Sequence, residues 1–343
     1  MYFNYSQICQ SLLKDLPERQ KEVILRRFGL APTPKFGVGV KKTGQGETLE
    51  SIGRDFGITR ERVRQIERDG FFRLKPKIKK YQKTFQYFKD FLRAWGDLKK
   101  EDILLSQLGK EKFQNQVYFL LILGEPFERF SENKDFYSFW TINKESFNLA
   151  QKIIDLVSNE FEKEKRSLNL EELSSFSSLK DPILSSYLEI SKIIQKNSEG
   201  LYGLRDWLEI NPRGVKDKAY LVLKKEKRPL HFREITDLIN SLKFEKRAQT
   251  QALPQTVHNE LIRDPSFVLV GRGIYALGQW GYEPGVVRDV ILKVLKEAKR
   301  PLSKEEIVKK VKNQRLVKEN TILLNLQNKK YFLKDSQGKY TFV

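Results

Sequence analysis

The strongest constraint on the fold is a motif that returns along the chain. KRSLNLEEL (Lys165–Leu173), KRPLHFREI (Lys227–Ile235) and KRPLSKEEI (Lys299–Ile307) share a basic pair, a Leu, a polar or His position, and an acid just before Ile or Leu. A weaker copy is DLKKEDI (Asp97–Ile103). Self-similarity at such spacing means one supersecondary unit used several times, and it must be settled before anything else. In two copies, Asn169 with Glu172 and Ser303 with Glu306 have capping-box spacing, where cap side chain and acid satisfy each other's backbone N–H groups. Each unit ends in an aromatic strand signal: FYSFWTI (Phe136–Ile142), GLYGLRDWLEI (Gly200–Ile210), GIYALGQWGY (Gly273–Tyr282) and GKYTFV (Gly338–Val343). Helix, capped short helix, another helix, then β-hairpin is the winged-helix plan. The predicted division is a distinct segment 1–80 followed by four winged-helix units at 81–145, 146–212, 213–282 and 283–343. The predicted fold class is therefore mainly α, an N-terminal helix-turn-helix followed by tandem winged-helix units, each with a small β-wing. Trp140, Trp207 and Trp280 fall at equivalent strand positions. Core packing that clamps wing to helices is expected of them, with base stacking as the alternative.

Charge narrows the partner. The 343 residues carry 64 Lys/Arg against 44 Asp/Glu, a net of +20. Residues 1–80 hold 18 of the basic residues and only 9 of the acidic ones, so the charge is densest there. Such a balance favours a polyanion, most commonly nucleic acid. The lone cysteine, Cys9, rules out a disulfide framework, and two scattered histidines, His231 and His258, leave no zinc-finger ligand set. The longest apolar run, Val117–Leu123, falls far short of the roughly 20 residues that span a bilayer. The N-terminus lacks the basic start and apolar block of a signal peptide. The expectation is a cytoplasmic, nucleoid-associated protein with no membrane contact, no metal and no cofactor.

The stretch TLESIGRDFGITRERVRQIERDGFF, starting at Thr48, reads as two helices joined by a tight turn. Thr48 and Thr59 are N-caps, and Gly57 sits where positive φ is cheapest. On a helix at about 100° per residue, Arg60, Glu61, Arg64, Gln65 and Arg68 share one face, while Val63, Ile66 and Gly70 cluster opposite. Arg can bind guanine O6/N7 in a bidentate way, Gln can bind adenine, and Glu can accept from cytosine N4. The bland alternative is a solvated face stitched by pairs one turn apart. The pairs at i,i+4, Arg60–Arg64 and Glu61–Gln65, are not opposite in charge, which favours base reading.

Residues 16–75 resemble region 4 of the sigma-70 family of bacterial initiation factors. The resemblance is carried by LPERQKEVILRRFGL (Leu16–Leu30), TLESIGRDFGITRERVRQIE (Thr48–Glu67) and FFRLK (Phe71–Lys75). It implies recognition of a promoter −35 element in double-stranded DNA, with Arg60, Glu61, Arg64 and Gln65 reading bases. Thr48, Leu49, Thr59, Arg62, Arg68 and Arg73 become the candidates for phosphate contact. It also implies docking on the β-flap of bacterial RNA polymerase. Two departures stand out. The link Ala31–Glu47 is a longer, Gly/Pro-rich loop than the family's. Arg68-Asp69-Gly70 replaces the family's Ala-Lys-Ala after QIE, so Asp69 stands where a lysine would face phosphate and Arg68 is the candidate to replace it. The loop's GVGVKKTGQGET lacks the order of a phosphate loop. A full sigma factor also has a region 2 that melts the −10 element. No such segment is evident here, so the expectation is docking near −35 without promoter opening.

The third repeat carries a second resemblance. RPLHFREITDLIN and TVHNELIRDPSFVLVGRGIYALGQW (Thr256–Trp280) look like a HARE-HTH domain, a winged helix found with polymerase, in chromatin proteins and fused to restriction enzymes. It implies a link to nucleic acid or polymerase, with Arg272 in the VGRG turn as a possible wing contact. His231 is expected at a helix cap and His258 within a helix. No nucleophile motif or nuclease constellation is evident, and the acidic pairs fall at helix starts where the dipole explains them. A non-enzyme is expected. The leading reading is a sequence-specific DNA-binding transcription factor. The runner-up is a polymerase-binding accessory or competitor protein whose winged helices are interaction modules. A specificity module of a restriction or modification system is a third reading, resting on the HARE-like unit alone.

Overall fold

The chain's computed structural model describes residues 3–30, 46–242 and 251–343. The Gly-rich run of the loop after Leu30, at 31–45, lies outside the described residues. The chain forms two compact units, Met1–Arg205 and Asp206–Val343.

The first unit opens with α1 (Tyr5–Leu13), α2 (Glu18–Arg27), α3 (Leu49–Asp55) and α4 (Arg60–Leu74). A 3₁₀ segment, Lys75–Tyr81, runs directly into α5 (Gln82–Ala94), which buries Phe85, Phe88 and Leu92 at helical spacing. The first winged unit continues with β1 (Leu98–Lys100), α6 (Glu101–Gly109), α7 (Gln114–Leu123), β2 (Glu128–Phe130) and β3 (Phe139–Thr141). β3 lies between β1 and β2, antiparallel to both, with Trp140 opposite Lys99 and Arg129. A second winged unit follows: α8 (Lys144–Glu164), α9 (Leu170–Ser177), α10 (Asp181–Glu189), β4 (Ile194–Lys196) and β5 (Tyr202–Leu204).

The third helix of each winged unit here is buried. From Val117 on, α7 is wholly apolar, which suits a largely covered helix; Val117, Phe119, Leu120, Leu121 and Leu123 are all buried, while Ile122 reaches solvent. One hydrophobic cluster holds them together with Tyr5, Leu12, Ile24, Phe28 and Leu74. The Phe119 ring meets Phe28 at 5.3 Å and Phe71 at 6.0 Å between centroids. Residues 1–80 and the first winged unit thus share one core. α10 packs in turn on the first winged unit. Ser186 Oγ donates to the Leu98 carbonyl at 2.5 Å, and the Tyr187 hydroxyl donates to that of Gly96 at 3.1 Å. Lys99, fully buried on β1, pairs with Glu189 at 2.7 Å and lies 3.4 Å from the centre of the Trp95 ring.

The second unit holds two more winged helices. The first is α11 (Val215–Glu226), β6 (Leu230–His231), α12 (Phe232–Ser241), α13 (Pro254–Arg263), β7 (Phe267–Gly271) and β8 (Ile274–Leu277), with β8 central in its sheet. The second is α14 (Val287–Ala298), α15 (Lys304–Gln314), α16 (Glu319–Leu326), β9 (Phe332–Lys334) and β10 (Tyr340–Phe342).

The repeated motif is a folding device. Its Lys, at 165, 227 and 299, closes the preceding helix in the left-handed region, with φ of 50°, 53° and 51°. Its Arg pairs with the acid six residues on: Arg166–Glu172 at 2.8 Å, Arg228–Glu234 at 2.6 Å and Arg300–Glu306 at 2.7 Å. Its Leu, at 168, 230 and 302, is buried and pairs with a strand tyrosine, Tyr202, Tyr275 or Tyr340. Both expected capping boxes form. In the remaining copy His231 Nδ1 accepts from the Arg233 N–H at 3.3 Å. His258 sits in α13, its ring 4.5 Å from that of Phe232.

The tryptophans correct the sequence reading. Only Trp140 lies on a strand, fully buried, its indole N–H donating to Glu101 at 2.9 Å. Trp207 follows β5 in a turn, and Trp280 ends a 3₁₀ turn after β8, both half-buried. The aromatic signals mark the wings, but their tryptophans are not equivalent. Among the described residues, no helix is long and apolar enough to cross a membrane, and no cluster of His, Cys, Asp or Glu has the makings of a metal site.

Candidate nucleic-acid interface

α3 and α4 form a helix-turn-helix whose geometry follows from four residues. Thr48 Oγ1 accepts from the Ser51 N–H at 3.1 Å, and Thr59 Oγ1 accepts from the Arg62 N–H at 3.2 Å, so both threonines fix helix starts. Gly57 holds φ +63° with open space around it, and the turn closes by the Ile58 N–H donating to the Gly53 carbonyl at 2.9 Å. A Cβ on Gly53 would stand 2.7 Å from the Ile58 carbonyl oxygen, so the crossing of the two helices requires glycine there. Val63 and Ile66 dock on Ile52 of α3 and Val23 of α2, while Leu49 is half-buried at the edge of this small core.

With that face buried, the polar face of α4 points to solvent. Arg60, Glu61, Arg62, Arg64, Arg68 and Arg73 are exposed and Gln65 is half-buried. The structure brings together the predicted reading residues at one end of α4, the N-terminal half that a recognition helix inserts into the major groove. The face is stitched after all, at i,i+3: Arg64 donates to both Glu61 oxygens, at 2.9 and 2.7 Å, and Arg62 donates to Gln65 Oε1 at 3.0 Å. The Arg64 guanidinium holds the Glu61 carboxyl below the usual carboxylate range, and Glu61 raises Arg64 in return. Arg60, Arg68 and Arg73 make no carboxylate ion pair among the described residues.

Two arginines outside the predicted site residues fix how α3 and α4 sit against α2. Arg26, at the end of α2, donates to Glu47 at 2.8 and 2.5 Å and also to Asp55, at the end of α3. Its guanidinium lies 5.6 Å from the Phe56 ring centre. Arg27 donates to the Glu47 carbonyl at 3.0 Å and pairs with Glu67 of α4 at 3.6 Å. Burial pushes the Glu67 carboxyl up, against the opposing pull of Arg27. The adjacent pair closing α2 was the available signal, but its acidic partners lie far along the chain, on the loop before α3 and on α3 and α4 themselves. Phe72 was also missed. It is 79% exposed and continues the α4 face one turn beyond Arg68.

In the second unit, Arg272 is exposed at the tip between β7 and β8, beside Gly273 with φ +71°. α13 carries Gln255, Asn259 and Arg263 on its exposed side. By contrast, α16 bears one acid, Glu319, and no base.

Residues 12–75 match the family model for Sigma-70, region 4. Residues 213–280 match the model for HARE-HTH, a helix-turn-helix domain whose description also names ASXL and restriction endonuclease. The first match spans α3, α4 and both clamping arginines; the second spans α11 to β8. Both are DNA-binding helix-turn-helix domains, fused here in one chain.

Proposed function

We propose that this chain is a transcription factor that reads a −35-like promoter element through α4 and works alongside bacterial RNA polymerase. The observation that carries the reading is the exposed N-terminal face of α4, where Arg60, Glu61, Arg64 and Gln65 stand together above a helix docked by its opposite side. These side chains can address guanine, cytosine and adenine edges. Thr48, Thr59, Arg62, Arg68 and Arg73 flank them as phosphate contacts that set register. Polymerase contact through the β-flap is part of the proposal and rests on the region-4 likeness. The protein acts by binding, not by catalysis.

The test is binding to a duplex carrying a TTGACA-like element against a shuffled duplex across a salt series. A preference of tenfold or more, about 1.4 kcal/mol, that disappears when Arg60 and Arg64 become alanine supports the proposal. Equal binding to both duplexes removes it.

The burial of α7 and α10 favours a second reading for part of the array. These third helices, the usual readers of a winged helix, are taken up by intramolecular packing. Their units then serve as a mount for the reader, or as polymerase-facing modules, and pull-down with core polymerase separates these roles.

A further inference from the structure

The recognition helix does not end the positive surface; it begins it. Between Gly70 and Lys89 the chain carries Arg73, Lys75, Lys77, Lys79, Lys80, Lys83 and Lys89 and no acidic residue. The 3₁₀ segment and the first turns of α5 hold these lysines on one continuous helical path leading out of α4. Two are engaged within the fold, Lys75 by Glu125 at 3.0 Å and Lys77 by Asp15 at 3.0 Å. Lys79, Lys80 and Lys83 are not fully buried and pair with no carboxylate among the described residues. A shallow groove of about 740 Å³ runs beside Lys79 and Lys83, lined also by Gln82, Tyr87 and Lys89 among others. Its two acids are engaged, Glu125 by Lys75 and Asp90 by Gln86 at 2.7 Å and Arg93 at 3.5 Å.

Charge of this density, ordered on a helix and left unneutralised, is costly to the fold through self-repulsion and is offset when a polyanion condenses on it. We propose that Lys79, Lys80 and Lys83 form a second, sequence-independent track for the phosphodiester backbone, which extends the DNA footprint beyond the element read by α4. The regular spacing of backbone phosphates suits a row of lysines, which bind phosphate as point charges without demanding a base. The track lies beyond the matched region-4 segment, which ends at residue 75. This inference rests on the DNA-reading proposal, and the two fail in different ways.

The experiment compares the full chain with K79Q/K80Q/K83Q and K79R/K80R/K83R on two duplexes. One carries the −35-like element alone, and the other adds about ten base pairs, roughly one helical turn, on each side. The unsubstituted chain is expected to bind the long duplex more tightly. The Gln variant is expected to lose that gain and to flatten the plot of log K against log salt by about 2 to 3, given roughly 0.9 per phosphate neutralised. Its ratio of specific to shuffled binding is expected to stay unchanged, and the Arg variant is expected to restore the slope. Loss of discrimination in R60A/R64A with the length gain intact would support the reading proposal and the track together. Equal binding of the unsubstituted chain to specific and shuffled duplexes, with the length gain intact, would sink the reading proposal and leave the track standing. An unchanged salt slope and length gain in K79Q/K80Q/K83Q overturns the track. So does a loss confined to capture of core polymerase, which would assign the lysines to an acidic protein surface instead.

Discussion

Arg64 and Glu61, one turn apart on the exposed face of α4, are locked in a two-pronged ion pair, with Arg64 Nε and Nη2 at 2.9 and 2.7 Å from the two carboxylate oxygens. The Nε–Nη2 edge of the guanidinium, the edge that would address a guanine, is therefore occupied by Glu61 in the free chain. The carboxylate that holds it also repels phosphate. On the proposed reading, Glu61 would gate Arg64: a base edge that satisfies both groups would replace the pair, whereas a mismatched edge would strand a charge. Glu61→Gln is accordingly expected to tighten binding to shuffled DNA several-fold while narrowing the preference for the correct element. Competition titrations on matched duplexes measure both quantities. Weaker binding to shuffled DNA would contradict the gating role.

Arg64→Ala removes the fork itself. A loss of about 1–3 kcal/mol on the specific site is expected, with discrimination flattened at one base position. Affinity for each single-base variant of the element reads this out. An equal loss on every sequence would mean that Arg64 meets only phosphate.

Arg26 tests whether orientation matters apart from contact. Its side chain is 20% exposed and spans Glu47, Asp55 and the Phe56 ring. Arg26→Ala is expected to cost about 1–2 kcal/mol of stability. It should weaken specific binding without altering which base is preferred at any position. Thermal melting and the same single-base series check this. A changed base preference would place Arg26 at the DNA instead.

Much of this was legible in the sequence, for identifiable reasons. Repeats, caps and the helix-turn-helix announce themselves because their signals are local: Asn169 and Ser303 meet their acids three residues on, and Gly57 marks its own turn. The exposed polar face of α4 was legible because a helix projects a sequence onto a cylinder. The stitching of that face does not show at i,i+4 spacing, because Glu61 meets Arg64 at i,i+3. The clamps of Arg26 and Arg27 and the burial of α7 are long-range, and no local period encodes which module will cover an apolar helix. The tryptophans misled because an aromatic signal marks a hairpin without fixing which residue of it faces inward.

The caps give a prediction confined to one unit. Ser303→Ala breaks the capping box at the start of α15 and is expected to cost about 1 kcal/mol. The melting of Asp206–Val343 should shift while DNA discrimination by α4 stays unchanged. A shift in discrimination would reveal coupling between the reader and the last winged unit.

The first unit should be sensitive to alkali. Burial pushes the Cys9 thiol up to about 12, and burial reinforced by Tyr87 pushes the Tyr5 phenol up to about 12. Both groups hold their protons in the folded chain at a pH where the unfolded chain releases them. Their stabilising contribution is full below the unfolded values of 9.0 and 10.0 and is lost as pH climbs through that window toward about 12. Melting temperature should fall as pH rises from the unfolded thiol's value toward about 12, and less steeply in Cys9→Ala. Native Cys9 should resist alkylation at mildly alkaline pH, and rapid labelling there would contradict its burial.

The shared core of α1, α2, α4 and α7 has a consequence for anyone who would borrow this helix-turn-helix. A helix-turn-helix is usually treated as a cassette that can be cut out and spliced onto another scaffold. Here a cut after the 3₁₀ segment would run through hydrophobic packing and strip Phe28, Phe71 and Leu74 of their cover. A fragment ending there is expected to aggregate rather than to test the reader fairly. A graft, or an evolutionary shuffle that moved this helix-turn-helix onto another scaffold, would have to carry the first winged unit along or redesign the helix faces beneath it.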